Sequence, residues 1–474
     1  AVGSAESLHE FDELMASLCL PTDRTGTRGD SAAALGNRIA KRIIATGLRD
    51  GSRERRDYVS ADYAPINEPM VVKAPGTYLS DPNRWQPLAL EVAISQNDIV
   101  LPSGPQEFVG PHWGQVDAFA LPDAGADGVP IDPGPPPRLG DPRTDDEFKA
   151  KAVEVVRYSS TLDPRDGVME DISPGALGGS TLGTNDGRGH DVNPVTGEPY
   201  ESNLVPRADF GRVLAEFWAD GPSSETPPGH WNSLANTVVD HPDFERRIAG
   251  SGPELDPLEW DVKMYLALNG AVHDAAVAAW GAKNHYDYVR PISMIRYMGG
   301  LGQSSDPALP SYHPDGLPLI DGEVELITEA SVRPGQRHEH LAHHIGDIAV
   351  RAWTGNPSER ERELGGVDWI RAVEWVPYQM STFVTPSFAG YVSGHSTFSR
   401  AAAEVLTEMT GSPYFPGGLG EWTVPAGSLE FEAGPSVDVP LQWATYYDAA
   451  DQAGLSRLYG GIHVEADDLN GRVM

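Results

Sequence analysis

The sequence predicts a mainly α-helical protein: a helical bundle with a loop-rich N-terminal part packed on it. Three observations carry that expectation. From Ala208 onward, apolar residues return at helical spacing over long stretches. Before that, residues 52–140 and 173–207 are dense in Pro, Gly, Asp and Asn, which favour turns over regular elements. Strand candidates are few and short, Leu429–Phe431 being one. At 474 residues the chain can hold one large core or two merged ones. The expected division is residues 1–205, loop-rich with a few helices, and residues 206–474, the bundle.

The elements follow in order. Residues 5–20 read as a helix, with Leu8, Phe11, Leu14, Met15 and Leu18 at helical spacing. Asp30 or Ser31 caps a second helix that runs through Leu48 and stops at Asp50-Gly51. Residues 52–140 read as long ordered loops with short apolar stretches such as Leu88–Ile94, pinned to a core by Trp85, Trp113 and Phe119; Gly134–Pro137 is a stiff extended spacer. A third helix is expected at 144–158. In the polar stretch Ser173–Arg207, Asn185, Asp186, Asp191 and Asn193 are oxygen donors of the kind calcium takes, but their spacing does not fit an EF-hand loop, and a hydrated surface loop is expected. Helices are then expected at 208–219, 229–240, 256–282, 325–355, 358–376, 394–410 and 442–459. His338, His340, His343 and His344 fall on one of these. His340 and His344 share a face as zinc ligands would, yet no Glu stands between them in a metalloprotease pattern, and a solvated face is the expected reading.

Composition excludes several classes. Apolar residues are 40% and charged residues 22%, a globular balance. Lys+Arg number 35 against 69 Asp+Glu, a net charge of −34, which argues against nucleic-acid and anionic-membrane partners and for solubility. No apolar run has the length of a membrane span. The one cysteine, Cys19, rules out an internal disulfide. A secreted or periplasmic location is expected, although no signal peptide is visible in the chain.

Three segments carry the chemistry. In the first, from Phe388 to Arg400, Ser393-Gly394-His395 joins an irregular lead-in to a helix. A helix N-terminus preceded by glycine is an anion cradle, here with a hydroxyl and an imidazole beside it. On its own, Ser-Gly-His is equally an ordinary capped helix start. The second segment runs from Lys283 to Arg290-Pro291, with six residues between the two cations. The third runs from Ser456-Arg457 to His463 and Asp467; the last two are four apart and are expected on one helical face, where the carboxylate holds one ring nitrogen and leaves the other available. Lys283, Arg290 and Arg457 together supply three positive charges suited to a tetrahedral oxyanion, and Ser393 and the Gly394 N–H add donors. Singly, each cation could be a surface charge; the joint match of three spaced segments argues for a site.

Lys-x6-Arg-Pro, then Ser-Gly-His, then Ser-Arg-x5-His-x3-Asp resembles the signature shared by vanadium-dependent haloperoxidases and the type 2 phosphatidic acid phosphatases. The motif core covers residues 280–467, and the N-terminal loops also look like those of the larger bacterial haloperoxidase-like proteins. One departure is Val392, where the family usually has Pro before Ser-Gly-His; an altered loop stiffness is expected rather than altered chemistry. The resemblance implies a haloperoxidase-type helical bundle and vanadate as cofactor, with phosphate as the alternative occupant. It implies that His463 binds vanadium, that Lys283, Arg290, Ser393, Gly394 and Arg457 hydrogen-bond the vanadate oxygens, and that His395 is the acid–base residue. It implies oxidation of halide by hydrogen peroxide to hypohalous acid, with Lys283 polarising the peroxide, the metal acting as a Lewis acid of unchanged oxidation state, and small organic acceptors downstream. Trp280, three residues before Lys283, and Phe388, seven before His395, match chloroperoxidase-type members and are the expected halide pocket, although two aromatics are as readily core residues. Homo-oligomerisation is an open option.

Two other readings use the same residues. In a phosphomonoesterase, His463 attacks phosphorus, Asp467 orients it and His395 protonates the leaving group. The chain is much longer than soluble family phosphatases and lacks the spans of lipid phosphatases. A non-catalytic oxyanion binder would have no use for His395.

Overall fold

The computed structural model describes residues 5–474 other than 61, 97–98, 123–124, 126–127, 220 and 222–223; the parts of the expected loop region at 61, 97–98, 123–124 and 126–127 lie outside the described residues. Helix starts follow local capping chemistry. After α1 (Ala5–Ser17), the Ser31 side chain accepts the Ala34 N–H and opens α2 (Ala32–Gly47). Long loops follow, broken among the described residues up to Thr144 by two short 3-10 turns, Glu54–Arg56 and Trp113–Gln115, and the two-residue parallel strands β1 (Met70–Val71) and β2 (Leu88–Ala89). Next, α3 (Asp145–Ser160) carries Asp145, Asp146 and Glu147 in its first turn and Arg157 in its last, the charge order that the helix dipole favours. The antiparallel pair β3 (Met169–Asp171) and β4 (Leu204–Pro206) leads into α4 (Arg207–Phe217). α5 (Pro227–Asp240), α6 (Pro257–Tyr286) and α7 (Pro291–Leu301) each begin with proline in the first turn, where its missing N–H costs nothing.

Residues 325–376, expected as two helices, form instead a three-stranded antiparallel sheet: β5 (Val324–Leu326), β6 (Ile348–Trp353) and β7 (Val367–Arg371) in that order. The physical reason lies in the breakers and in burial. Gly346, Gly355 and Gly366 take positive φ, which ends any helical run, and β6 is buried on both faces, so its apolar residues imitate a buried helix. The four histidines lie in and beside a short 3-10 stretch, Glu339–His344, rather than on an α-helix. His338 is buried against Trp369 and bonds Ser331 through Nδ1 (2.9 Å), while His340 Nε2 bonds the Trp369 carbonyl (2.7 Å). Among the described residues no group of three or more His, Cys, Asp or Glu could hold a metal ion. In the 173–207 stretch, Asp186 binds Thr181 and Thr184, and Asn193 binds Gly417.

The bundle closes with α8 (Gly394–Thr410), the hairpin β8 (Gly420–Val424) and β9 (Val439–Trp443), α9 (Tyr446–Tyr459) and α10 (Glu465–Val473). Leu429–Phe431 is the irregular link inside that hairpin, not a strand. α8 sits at the centre, packed most extensively on α6 and α9, then on α10 and α5. Its buried Phe398, Ala402, Ala403 and Leu406 face a core that includes Trp218, Trp231, Trp260 and Trp443. Each such large apolar side chain contributes about 1.5–3 kcal/mol by leaving water. Gly411, at φ +76°, ends α8 in the left-handed region. A second core gathers α3, α7 and the three-stranded sheet. Trp85 is buried as expected, in a separate small cluster with Phe108 and Ala389, whereas Phe119 is 68% exposed and rests edge-on against His273. No described helix is long and apolar enough to cross a membrane.

Candidate active site

Five helices, with the turn between the last two, deliver the site. The C-terminal end of the long α6 brings Trp280 and Lys283. Arg290 is the N-cap of α7, reached by a left-handed Asp287 that stops α6. Ser393 is the N-cap of α8, its Oγ accepting the Ser396 N–H, with Gly394 and His395 in the first turn. Arg457 lies in the last turn of α9. His463 and Asp467 do not share a helical face: His463 lies in the turn between α9 and α10, and Asp467 is the third residue of α10. The contact expected from their spacing nevertheless forms, because the Asp467 carboxylate reaches back over the helix start to His463 Nδ1 (2.8 Å) and the Val464 N–H (3.3 Å).

With Nδ1 given to Asp467, His463 presents Nε2 to Arg290 Nη1 at 3.4 Å. Arg290 also donates to the carbonyls of Phe388 (2.8 Å) and Ile462 (2.7 Å), and Lys283 Nζ donates to those of Ala389 (2.9 Å) and Gly390 (2.8 Å). The two cations thus clasp the Phe388–Gly390 loop that feeds the cradle. On the other side Arg457 donates to the carbonyls of Ala215 and Trp218, both at 3.1 Å, and lies 3.3 Å from His395 Nε2. The Ser393 N–H donates to the Asp467 carbonyl (2.8 Å), tying cradle to ligand turn. All ten predicted residues, Trp280 and Phe388 included, therefore converge.

They converge in two layers. An aromatic-walled cavity of about 990 Å³ is lined by Gly394, His395, Arg457 and His463, with Trp280 and Phe388 in its wall. Lys283, Arg290 and Ser393 lie directly behind that wall. Lys283 Nζ stands 5.0 Å from the Phe388 ring centroid and 5.7 Å from that of Trp280. Trp280 and Phe388 touch at 4.8 Å between centroids, and Trp280 is fixed by its N–H on the Val109 carbonyl (2.9 Å). A Cβ on Gly394 would come within 3.2 Å of the Phe398 ring, so a larger residue would crowd this floor.

The electrostatics are those of a site short of negative charge. Lys283, Arg290 and Arg457 are at most 2% exposed. Burial, then the Arg290 charge, pushes the Lys283 ammonium well below its usual range, and burial pushes Arg290 down to about 9. Asp467 is the carboxylate that opposes both shifts, and burial raises it to about 7. Burial, then Arg290, Lys283 and Arg457, holds the His463 imidazole well below its usual value, hence neutral with an Nε2 lone pair. Three buried cations against one carboxylate, beside a neutral imidazole, fit a multiply charged oxyanion with one nitrogen ligand.

Residues 263–474 match the family model described as the VCPO second helical-bundle domain. Over this domain, just under half of the chain, the sequence is similar to the vanadium haloperoxidases. The crystal structures of a holo-type and an apo-type bacterial vanadium-dependent chloroperoxidase are similar to it, with TM-scores of 0.60 and 0.62 at 18% and 19% identity. These matches cover 98% and 99% of this chain and 75% and 76% of theirs, so the haloperoxidase fold includes the N-terminal part. No curated protein sequence matches the chain significantly.

Several residues of the site have no sequence signature. Glu216, Phe217, His230 and Trp422 line the cavity from α4, α5 and β8, more than 160 positions from Ser393 or close to it only through the hairpin. Asp468 was legible in principle: with Arg472 it forms a helical i,i+4 ion pair (2.5 Å), and its carboxylate accepts the Ser396 hydroxyl (2.7 Å).

Proposed function

We propose that the chain is a vanadate-dependent haloperoxidase that oxidises halide with hydrogen peroxide to hypohalous acid. The observation that carries the reading is His463: a buried, neutral imidazole with Nδ1 taken by Asp467 and Nε2 3.4 Å from Arg290, within the field of the Lys283 and Arg457 charges as well. His463 would hold the metal, and Lys283, Arg290, Ser393, Gly394 and Arg457 would receive the vanadate oxygens. Bound vanadate supplies a Lewis-acidic centre that needs no change of oxidation state.

The protein's own residues do the rest. Asp467 keeps the proton on Nδ1 and so the lone pair on Nε2. Lys283 and Arg290 place positive charge where oxygen is to become electrophilic, in surroundings that exclude water and strengthen each interaction. His395, on the cavity side and 3.3 Å from Arg457, is positioned to take a proton from peroxide and return one to a leaving oxygen. Trp280 and Phe388 form the wall past which halide approaches. The cavity of about 990 Å³ exceeds what peroxide and halide fill, which supports small organic acceptors as further partners. The catalytic part is residues 206–474, which carry every one of these side chains.

The Asp467–His463 pair would equally orient a phosphohistidine nucleophile, so a phosphomonoesterase is the second reading. One experiment separates them: metal content after incubation with vanadate, with halide-dependent peroxide consumption and phosphate-ester hydrolysis on the same sample. One vanadium per chain with halide oxidation is expected, and vanadate should suppress any esterase activity. Ester turnover that persists at saturating vanadate, with no halide oxidation, would sink the haloperoxidase reading.

A further inference from the structure

The N-terminal helices leave their apolar faces uncovered. The described side chains of α1 are exposed apart from a half-buried Met15, and Ala34 is the buried residue of α2. Leu8, Phe11, Leu14 and Leu18 form a stripe at 55–59% exposure, and Leu35, Ile39 and Ile43 a second at 51–66%. A helix of 13 residues is marginal in water without a partner surface. Contiguous apolar patches of this extent mark interaction sites.

The connection between the helices keeps the second stripe open. Asn37 Nδ2 donates to the carbonyls of Arg24 (2.7 Å) and Gly26 (3.0 Å), and Arg38 Nη1 to those of Thr27 (3.0 Å) and Gly29 (2.7 Å). The linker is thereby strapped along the side of α2 that carries Asn37 and Arg38. The Leu35–Ile39–Ile43 stripe, spaced by four, lies on another side. The helices are also opposite in charge: Glu10, Asp12 and Glu13 on α1, Arg38, Lys41 and Arg42 on α2, which has no acidic residue.

We propose that these faces are the two halves of a dimer interface, in which α1 of one copy lies on α2 of a second copy and the exchange is reciprocal. A twofold arrangement uses both stripes twice and closes. Opposite charge sets α1 on α2 rather than on another α1. A standard interface buries about 800 Å² per partner, and seven large apolar side chains more than half exposed supply apolar surface of that order. The acidity of α1 disfavours an anionic membrane surface as the alternative occupant.

Sedimentation velocity on the full chain at micromolar concentration tests this. A dimer is expected, and Ile39→Asp with Ile43→Asp should convert it to a monomer whose main thermal transition is unchanged. Glu10→Lys with Glu13→Lys should weaken the dimer at least tenfold, as should Lys41→Glu with Arg42→Glu. A one-to-one mixture of these two reversed proteins should restore pairing, because α1 of each is then opposite in charge to α2 of the other, and the fourfold variant should restore it on its own. A monomeric wild-type chain, a dimer that survives Ile39→Asp/Ile43→Asp, absence of rescue in the fourfold variant, or recruitment of the wild-type chain to phosphatidylcholine vesicles in place of dimerisation would each overturn the proposal.

Discussion

At His463 the two ring nitrogens have different tasks, and the structure separates them. Asp467 at 2.8 Å fixes the tautomer, and burial among Lys283, Arg290 and Arg457 keeps the ring neutral. His463→Ala should therefore abolish stoichiometric vanadate binding while leaving the far-UV circular dichroism spectrum unchanged; retained one-to-one vanadium would return His463 to a structural role. Phe388 stands between the cavity and two cations, with Lys283 Nζ at 5.0 Å and Arg290 Cζ at 5.2 Å from its ring. Histidine there brings water and its own charge into that gap. Chloride is harder to oxidise than bromide and depends more on a dry, strongly polarising site. Phe388→His should thus lower chloride oxidation more than bromide oxidation in paired rate measurements at one pH. Equal losses, or none, would make Phe388 an ordinary core aromatic.

At the scale of elements, the cradle depends on how α8 meets α10. Asp468 accepts the Ser396 hydroxyl on α8 and both the Nε and Nη2 hydrogens of Arg472 on α10, and Arg472 reaches Asp451 on α9 at 3.0 Å. This buried clamp ties together the three helices that carry Gly394, Arg457 and Asp467. Asp468→Ala leaves Arg472 short of a buried partner and should cost about 3–5 kcal/mol of stability, read by urea unfolding. It should also weaken vanadate binding, although Asp468 does not line the cavity. Loss of stability with unchanged vanadate affinity would limit the clamp to folding.

For the whole molecule, several carboxyls are buried at a cost. Burial raises Asp287 and Asp451 to about 7 and Glu216 to about 8, against opposing hydrogen bonds or arginines. In each case the folded chain holds a proton that the unfolded chain has released, so the stability these groups contribute is present at low pH and lost as pH rises through 7 to 8. His463 and His338 act with the opposite sign, but their contribution is complete once the unfolded imidazole has lost its proton near 6.5. Repulsion within a chain of net charge −34 adds to the decline. The melting temperature should therefore fall between pH 6.5 and 8.5, with a shallower fall in Asp287→Asn. A melting temperature that rises across that interval would contradict the assignment of protons to these buried carboxyls.

What the sequence determined by itself is local. Capping and dipole chemistry placed α2, α3 and α8 within a few residues, because Ser31, the acidic turn at 145–147 and Ser393 act on backbone groups next to them. The motif spacings likewise named eight candidate site residues that the fold brings together, since each short segment lies at helix ends with its reactive groups at set intervals. Tertiary structure decided what depends on distant partners. The buried β6 carries the same apolar run that a core helix would, and only its pairing with β5 and β7 makes it a strand. The layering of the site, with Gly394, His395, Arg457 and His463 toward the cavity and Lys283, Arg290 and Ser393 behind the aromatic wall, follows from how α6, α8 and α9 pack. So does the exposure of α1 and α2, whose periodicity reads the same whether the stripe faces a core or another molecule.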